Sequence, residues 1–482
     1  MSTTPSESQK NAYLCQEPIG KLLLKFSIPC ILSMLVSALY NIVDQIFIGH
    51  SIGYLGNAAT NVVYPFTVVA LALALLVGDG SAALLSLSLG RGDLATCHSC
   101  VGNGILLSTG IGVLLTAAGF LFTDPILSFF GVTEASYLYA REYIDVILIG
   151  IPFYVFSSGM NAAIRADGSP GYSMFATVLG AIINLILDPV AIFLLDMGMR
   201  GAAIATVIGQ VASCIATVLY FKKPKSFRLS KSSFRLRGPL LRQICQLGVS
   251  SFITQIAIVI IISVANNMIV RYGPASIYGA DIPLSVVGIV MKVFGIVIAF
   301  SVGIAVGGQP IAGYNYGAGN YRRAFLTYRW VILANVIVGA IAMLLFECCP
   351  QAIVNIFGSE SELYNEYADL CFRIFLSGIL LCCVQKASSI FLQSIGKPVK
   401  ATLLSLSRDV LFLVPGVMIL SRALGVTGML WAAPIADILS FVVALVLISF
   451  EYRNMRRQMD TAVLNKEPLP QSKSSTDPST GL

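Results

Sequence analysis

The stretch GYSMFATVLGAIINLILDPVAIFLL, residues 171–195, decides the class of the fold. About 20 apolar residues rising 1.5 Å each cross the hydrocarbon core of a bilayer, and this run is long enough. It nevertheless carries Asn184, Asp188 and Pro189. A carboxylate near mid-membrane costs about 2.5–3.5 kcal/mol on insertion, so it persists where it faces the protein interior and has partners. Asn184 and Asp188 are four residues apart and share one helix face. Pro189 has no N–H to give the carbonyl of Leu185, which predicts a bend with an open carbonyl beside the acid.

Runs of the same kind recur along the whole chain. The 482 residues are 56% hydrophobic and 11% charged. Soluble domains carry about 25% charged residues, so this is an integral membrane protein. Spans are expected near 26–49, 59–88, 98–122, 141–163, 171–195, 201–221, 244–270, 281–310, 325–347, 366–394, 400–421 and 425–450. An all-α polytopic protein of twelve helices follows, because a β-barrel would show short alternating segments instead. The first run is too long for a signal sequence and reads as a retained span. Residues 1–17 and the tail within 453–482 are polar and rich in Ser, Thr and Pro, and are expected to be largely disordered.

Charge sets the orientation. Residues 222–242 carry Lys222, Lys223, Lys225, Arg228, Lys231, Arg235, Arg237 and Arg242 with no acid. Arg322, Arg323, Lys397, Lys400, Arg453, Arg456 and Arg457 fall on the same side. By the positive-inside rule this side, with both termini, is cytoplasmic. The basic segment is a topology-fixing loop, and no nucleic-acid partner is expected. The 11 cysteines follow no disulfide spacing, and the lone Cys97-His98-Ser99-Cys100 lacks the second pair a zinc site requires.

The chain also repeats itself. Gly90-Arg91-Gly92-Asp93 matches Gly317-Ala318-Gly319-Asn320 at 317 − 90 = 227. Gly168-Ser169-Pro170 matches Gly396-Lys397-Pro398 at 396 − 168 = 228, and Gly198 matches Gly425 at 227. Two lobes of six spans result, 18–221 and 243–452, joined by the linker 222–242. Six is even, so both enter the membrane in one orientation, related by a pseudo-twofold axis along its normal. Parallel repeats of this kind place a transport path between the halves.

Polar residues inside the spans concentrate in the first half. Asp44 shares a face with Tyr40 and Asn41, Thr206 lies one turn before Gln210, and Asn161 and Asp79 are also embedded. A desolvated carboxylate suits proton exchange, and carboxylate, amide and hydroxyl oxygens equally suit Na⁺ at Asp44, Asn184 and Asp188. Helix-to-helix hydrogen bonding is the competing reading for Asn161, Thr206 and Asp79. In the second half Lys292, Lys386, Arg408, Asp409 and Asp437 are embedded, and internal pairing with Asp437 is expected. Tyr40, Phe153, Tyr154, Gln255, Met291, Phe294 and Phe300 are candidates for a substrate path, where aromatic faces and methionine accommodate flat cations.

The segments YNIVDQIFIG (40–49), SLGRGD (88–93), RADGSP (165–170), NLILDP (184–189), GMRGAAIAT (198–206), QPIAGYNYGAGNY (309–321) and GVTGMLWAAPIAD (425–437) together resemble the multidrug and toxic compound extrusion (MATE) family, over roughly 18–455. The resemblance implies a V-shaped pair of six-helix lobes. It implies a secondary antiporter of the bacterial inner membrane that exports organic, often cationic, drugs against H⁺ or Na⁺ by alternating access. No cofactor beyond the coupling ion is expected, and a complete two-lobe path in one chain suggests a working monomer. By motif position Asp44, Asn184 and Asp188 match cation- or proton-binding residues, with Asn161 and Thr206 in support. The chain departs from the pattern at Gln255 and Lys386, where relatives with a second-lobe cation site carry acids. A lipid-linked saccharide flippase on the same fold is the alternative, and would need cavity-facing cations, of which Lys292, Lys386 and Arg408 are the hints. An enzyme or receptor is disfavoured, since no HExxH, Walker A sequence or sizeable soluble domain is present.

Overall fold

The computed structural model describes residues 13–357 and 361–464. Among them every regular element is helical. The first half holds α1 (Tyr13–Gln16), α2 (Ile19–Ser51), α3 (Tyr54–Arg91), α4 (Leu94–Leu121), α5 (Thr123–Phe129), α6 (Glu134–Ala166), α7 (Pro170–Pro189) and α8 (Gly198–Lys222). The second holds α9 (Gly238–Tyr272), α10 (Asp281–Gly317), α11 (Tyr321–Cys348), α12 (Pro350–Phe357), α13 (Glu362–Leu370), α14 (Ile379–Ser394), α15 (Pro398–Leu406), α16 (Val414–Leu430) and α17 (Ala432–Leu464). Eleven helical stretches are long and apolar enough to cross a membrane, and a bent pair supplies a twelfth. The protein is therefore a multi-pass membrane protein.

The repeat is written in the turns. Gly92 and Gly319 have φ of 73° and 75°, Gly168 and Gly396 have 81° and 75°, and Gly198 and Gly425 have 55° and 69°. Each left-handed glycine lies at the end, start or break of a helix at the corresponding point of its half, where a side chain would be strained. Asp93 and Asn320 then cap α4 and α11 alike, accepting from the backbone N–H of Thr96 and Arg323. Gly53 and Gly279, with φ of 80° and 65°, form a further pair that the sequence comparison did not reveal. The two Thr96 hydrogen bonds hold the Asp93 carboxyl below the usual carboxylate range. Its capping contribution is thus present above the unfolded value and is lost as pH falls through the folded one.

Several boundaries differ from the sequence expectation. The tenth span is two pieces, Glu362–Phe375 and Ile379–Ser394, bent by 46°. Gly425 breaks the helical path inside α16, so a new helical stretch starts beside the expected position 425, and the last helix continues past 452 to Leu464. Tyr13–Gln16, expected in the disordered N-terminus, form a short helix with Leu14 buried. Asn315 and Arg323 donate to the Leu14 carbonyl, and Arg323 also donates to that of Glu17, so this segment docks on the second half. The basic linker is ordered too. Asp167 accepts from the backbone N–H groups of Lys225 and Ser226, and Asn103 accepts from that of Arg237. The rest of both tails lies outside the described residues.

The halves meet along a seam on the linker side. Residues Val77–Leu89 of α3 are all buried there. A Cβ on Gly80 would strike the Ile244 carbonyl, and one on Gly248 the Leu76 carbonyl. Gly90 is equally close to the Tyr314 carbonyl, and Gly317 to that of Leu87. These helices approach backbone to backbone, which only glycine permits, as in other small-residue membrane packings. Gly248→Val is expected to force α3 and α9 apart and to reduce the yield of folded protein sharply in detergent gel filtration. An unchanged profile would show that the seam yields freely.

Candidate functional site

Beyond the seam, a cavity of about 670 Å³ lies between the halves. The first half lines it with Tyr40, Asn41, Tyr154, Asn161, Asn184 and Thr206, among others. The second half contributes Gln255, Met291, Phe294, Lys386, Arg408 and Asp409. This volume lies within the range of small-molecule sites. Phe153 and Phe300 do not reach the cavity: both lie on exposed faces of their helices. Phe153 precedes Tyr154 by one position, and a helix turns about 100° per residue, so the two cannot share a face. Lys292 is likewise exposed and does not line the cavity.

Asp44, from α2, and Asp188, from the end of α7, lie behind the first-half wall, within hydrogen-bonding reach of each other. Both are buried, Asp188 completely. Asn184 Nδ2 donates to Asp188 Oδ1 at 3.1 Å and to Thr206 Oγ1 at 3.3 Å. Tyr143, which the sequence reading missed, borders the same two acids and contacts Thr206. The residues after Pro189 form a π-helical turn, Val190–Leu194, so the expected break in regular α-helix occurs just past the acid. Among the described residues no lysine or arginine forms an ion pair with either carboxylate, and Asp44 Oδ1 and Asp188 Oδ2 have no hydrogen-bond donor. Two ionised carboxylates in contact in a low-dielectric interior repel strongly. One shared proton, or one bound monovalent cation, removes the conflict. The available oxygen set suits either.

Asp79, which the sequence left without a role, links the halves at the floor of the cavity. Its carboxylate accepts from Ser251 of α9 at 2.7 Å and lies 3.8 Å from Arg165 of α6. Gln393 of α14 donates to Ser251 at 3.2 Å. The second-half wall is a closed ion network. Lys386 donates to Asp409 at 3.1 Å, Arg408 donates to Asp409 at 2.6 Å and to Asp437 at 2.7 Å. Arg408 also lies 5.7 Å from the Phe294 ring centre. The sequence placed Arg408 or Lys386 against Asp437, and the structure gives that place to Arg408. Asn161 sits elsewhere on the first-half wall, donating to Thr177 at 3.0 Å and accepting at its backbone carbonyl from Ser173. Cys97 and Cys100 are buried free thiols, and no metal-holding cluster occurs among the described residues.

Twelve helices in two repeated halves around a central cavity define a membrane transporter. A family model described as MatE matches residues 29–190 and 250–418, and the chain belongs to that family. The multidrug export protein MepA of Staphylococcus haemolyticus (strain JCSC1435) is 24% identical over 457 residues, covering 94% of this chain and 98% of the relative. The MATE multidrug transporter DinF-BH, solved in complex with a dye, is 32% identical, with a TM-score of 0.84 over 91% of this chain and 97% of that one. An outward-facing multidrug resistance MATE family transporter of the MOP superfamily is 23% identical and superposes with a TM-score of 0.84 over 95% of this chain and 100% of that one.

Proposed function

We propose that the protein exports organic, mainly cationic compounds across the cytoplasmic membrane in exchange for H⁺ or Na⁺, with both termini in the cytoplasm. The observation that carries this reading is the buried Asp44–Asp188 pair, behind a cavity wide enough for a drug-sized molecule. The names of the MepA and DinF-BH relatives support export of drugs. The basic linker and terminal segments support the orientation.

In this conformation the seam closes the cavity on the linker side, and Asp79, Ser251 and Gln393 tie its floor. Ion entry at Asp44, Asn184 and Asp188 removes the repulsion of the pair and favours one packing of α2 against α7. Substrate in the cavity favours the other. Each ligand shifts the same equilibrium in opposite senses, which is the thermodynamic content of exchange. Thr206 and Asn161 support the walls, and one chain contains the whole path, so a monomer suffices.

The flippase reading needs cations free to hold a pyrophosphate. Lys386 and Arg408 are engaged by Asp409 and Asp437, which favours the drug exporter. The test is efflux of a rhodamine dye from everted vesicles, driven by a pH jump or a Na⁺ pulse. Dye movement under one gradient and not the other names the ion. Movement under neither sinks the exchange reading.

A further inference from the structure

The short helix α1 lies across the seam and is held from both sides. Tyr13–Gln16 form one helical turn, and Pro18 follows Glu17. A proline has no N–H, so it cannot bond the Leu14 carbonyl four residues before it. The second half supplies the missing donors. Asn315 Nδ2 of α10 and Arg323 Nε of α11 each donate to that carbonyl at 3.1 Å, and the Arg323 guanidinium also donates to the Glu17 carbonyl. The Leu14 side chain is buried in the apolar cluster where the halves meet.

One residue earlier the chain is held by the first half and the linker. The Tyr13 hydroxyl donates to the Gly168 carbonyl, in the turn between α6 and α7, at 3.4 Å. Lys225 of the linker donates to the same hydroxyl and the same carbonyl, each at 3.3 Å. Its ammonium stands 4.6 Å from the centre of the Tyr13 ring, and that of Lys25 stands 4.8 Å away. The ring attracts both charges.

The two grips are unequal. A guanidinium and an amide on open carbonyls hold more strongly than a neutral hydroxyl at 3.4 Å. Past Pro18, α2 continues along the second half: a Cβ on Gly303 or Gly307 of α10 would strike Ile31 or Ser27. The segment is therefore built to travel with the second half. We propose that residues 13–17 are a clasp over the seam, fixed at Leu14 and Glu17 and releasable at Tyr13, which holds the linker side closed and lets go when the cavity opens there. The inference rests on the proposed function only for the alternation of the halves, and is independent of cargo and coupling ion.

Hydrogen exchange, read by mass spectrometry on the purified full chain in detergent, measures that opening without dye or gradient, because exchange follows the population of the opened form. Tyr13→Ala is expected to raise exchange about tenfold at 87–93 and 314–320, on the two sides of the seam, the effect of about one lost hydrogen bond. Exchange at 123–133, at the far ends of α4 and α6, should hold or fall. Arg323→Gln should act alike, and the double variant should add little, since a clasp open at one end holds nothing at the other. A rise confined to residues 13–17, or additive effects of the two substitutions, overturns the clasp. A wild-type seam that exchanges measurably, but no faster in Tyr13→Ala, overturns the clasp and leaves alternation standing. A seam that exchanges in no variant overturns both. If Tyr13→Ala loosens the whole chain, Lys225→Met, which keeps the ring, decides by the same reading.

Discussion

Asp188→Asn is expected to abolish gradient-driven dye efflux while leaving dye binding within about twofold of wild type, since Asp188 stands behind the wall rather than on it. The substitution keeps size and shape but removes the charge. Asn184 can still donate to the new amide oxygen, so local packing survives. What disappears is the conflict between two carboxylates, and with it the need for a proton or cation. Without that need the ion has no differential affinity for the two states and cannot drive the cycle. Efflux in everted vesicles should fall to the level of empty vesicles under either gradient. Asp44→Asn should act alike, because the pair and not either member is the site. Efflux of wild-type rate from Asp188→Asn would make the acid structural.

Arg408→Met is the second large effect, and it acts on stability. Arg408 is 5% exposed and joins two acids, Asp409 and Asp437, that are themselves buried. Removing the guanidinium strands the Asp437 charge in a low-dielectric wall. Breaking one partner of such a set costs about 3–5 kcal/mol, far more than the intact network contributes over an apolar replacement. The apparent Tm should drop by several degrees or more. The buried thiols of Cys382 and Cys383 serve as reporters, reacting with a thiol dye as the second half opens. The double variant Arg408→Met, Asp437→Leu should recover most of the loss. A single variant as stable as wild type would mean that water already reaches the network.

Much of this was legible from the chain alone, for physical reasons. A membrane span is a local property of about 20 residues, so the number and order of the crossings could be read. The Asn184–Asp188 contact follows from helical spacing. The glycine turns were visible where the same dipeptides recurred, and hidden at Gly53 and Gly279, whose neighbours differ. Contacts between distant helices were not legible. Nothing in LLVGDGSAAL announces that Asp79 meets Ser251, or in VQKASS that Lys386 meets Asp409. The rotation of one helix about its axis was equally hidden, and this sent Phe153 away from the cavity beside Tyr154. The ordered N-terminal helix was missed because its anchor, the Leu14 carbonyl, is a backbone group that composition does not reveal.

The glycine seam has a mechanical meaning. Two surfaces that interlock through long side chains must be unpicked tooth by tooth, each rotamer contributing friction. At Gly80, Gly248, Gly90 and Gly317 the opposing surfaces are bare main chain, as smooth as two planed boards. Boards of that kind fit closely, exclude lipid and water, and still part in a single movement. The chain has therefore placed its tightest joint where it also has the fewest teeth.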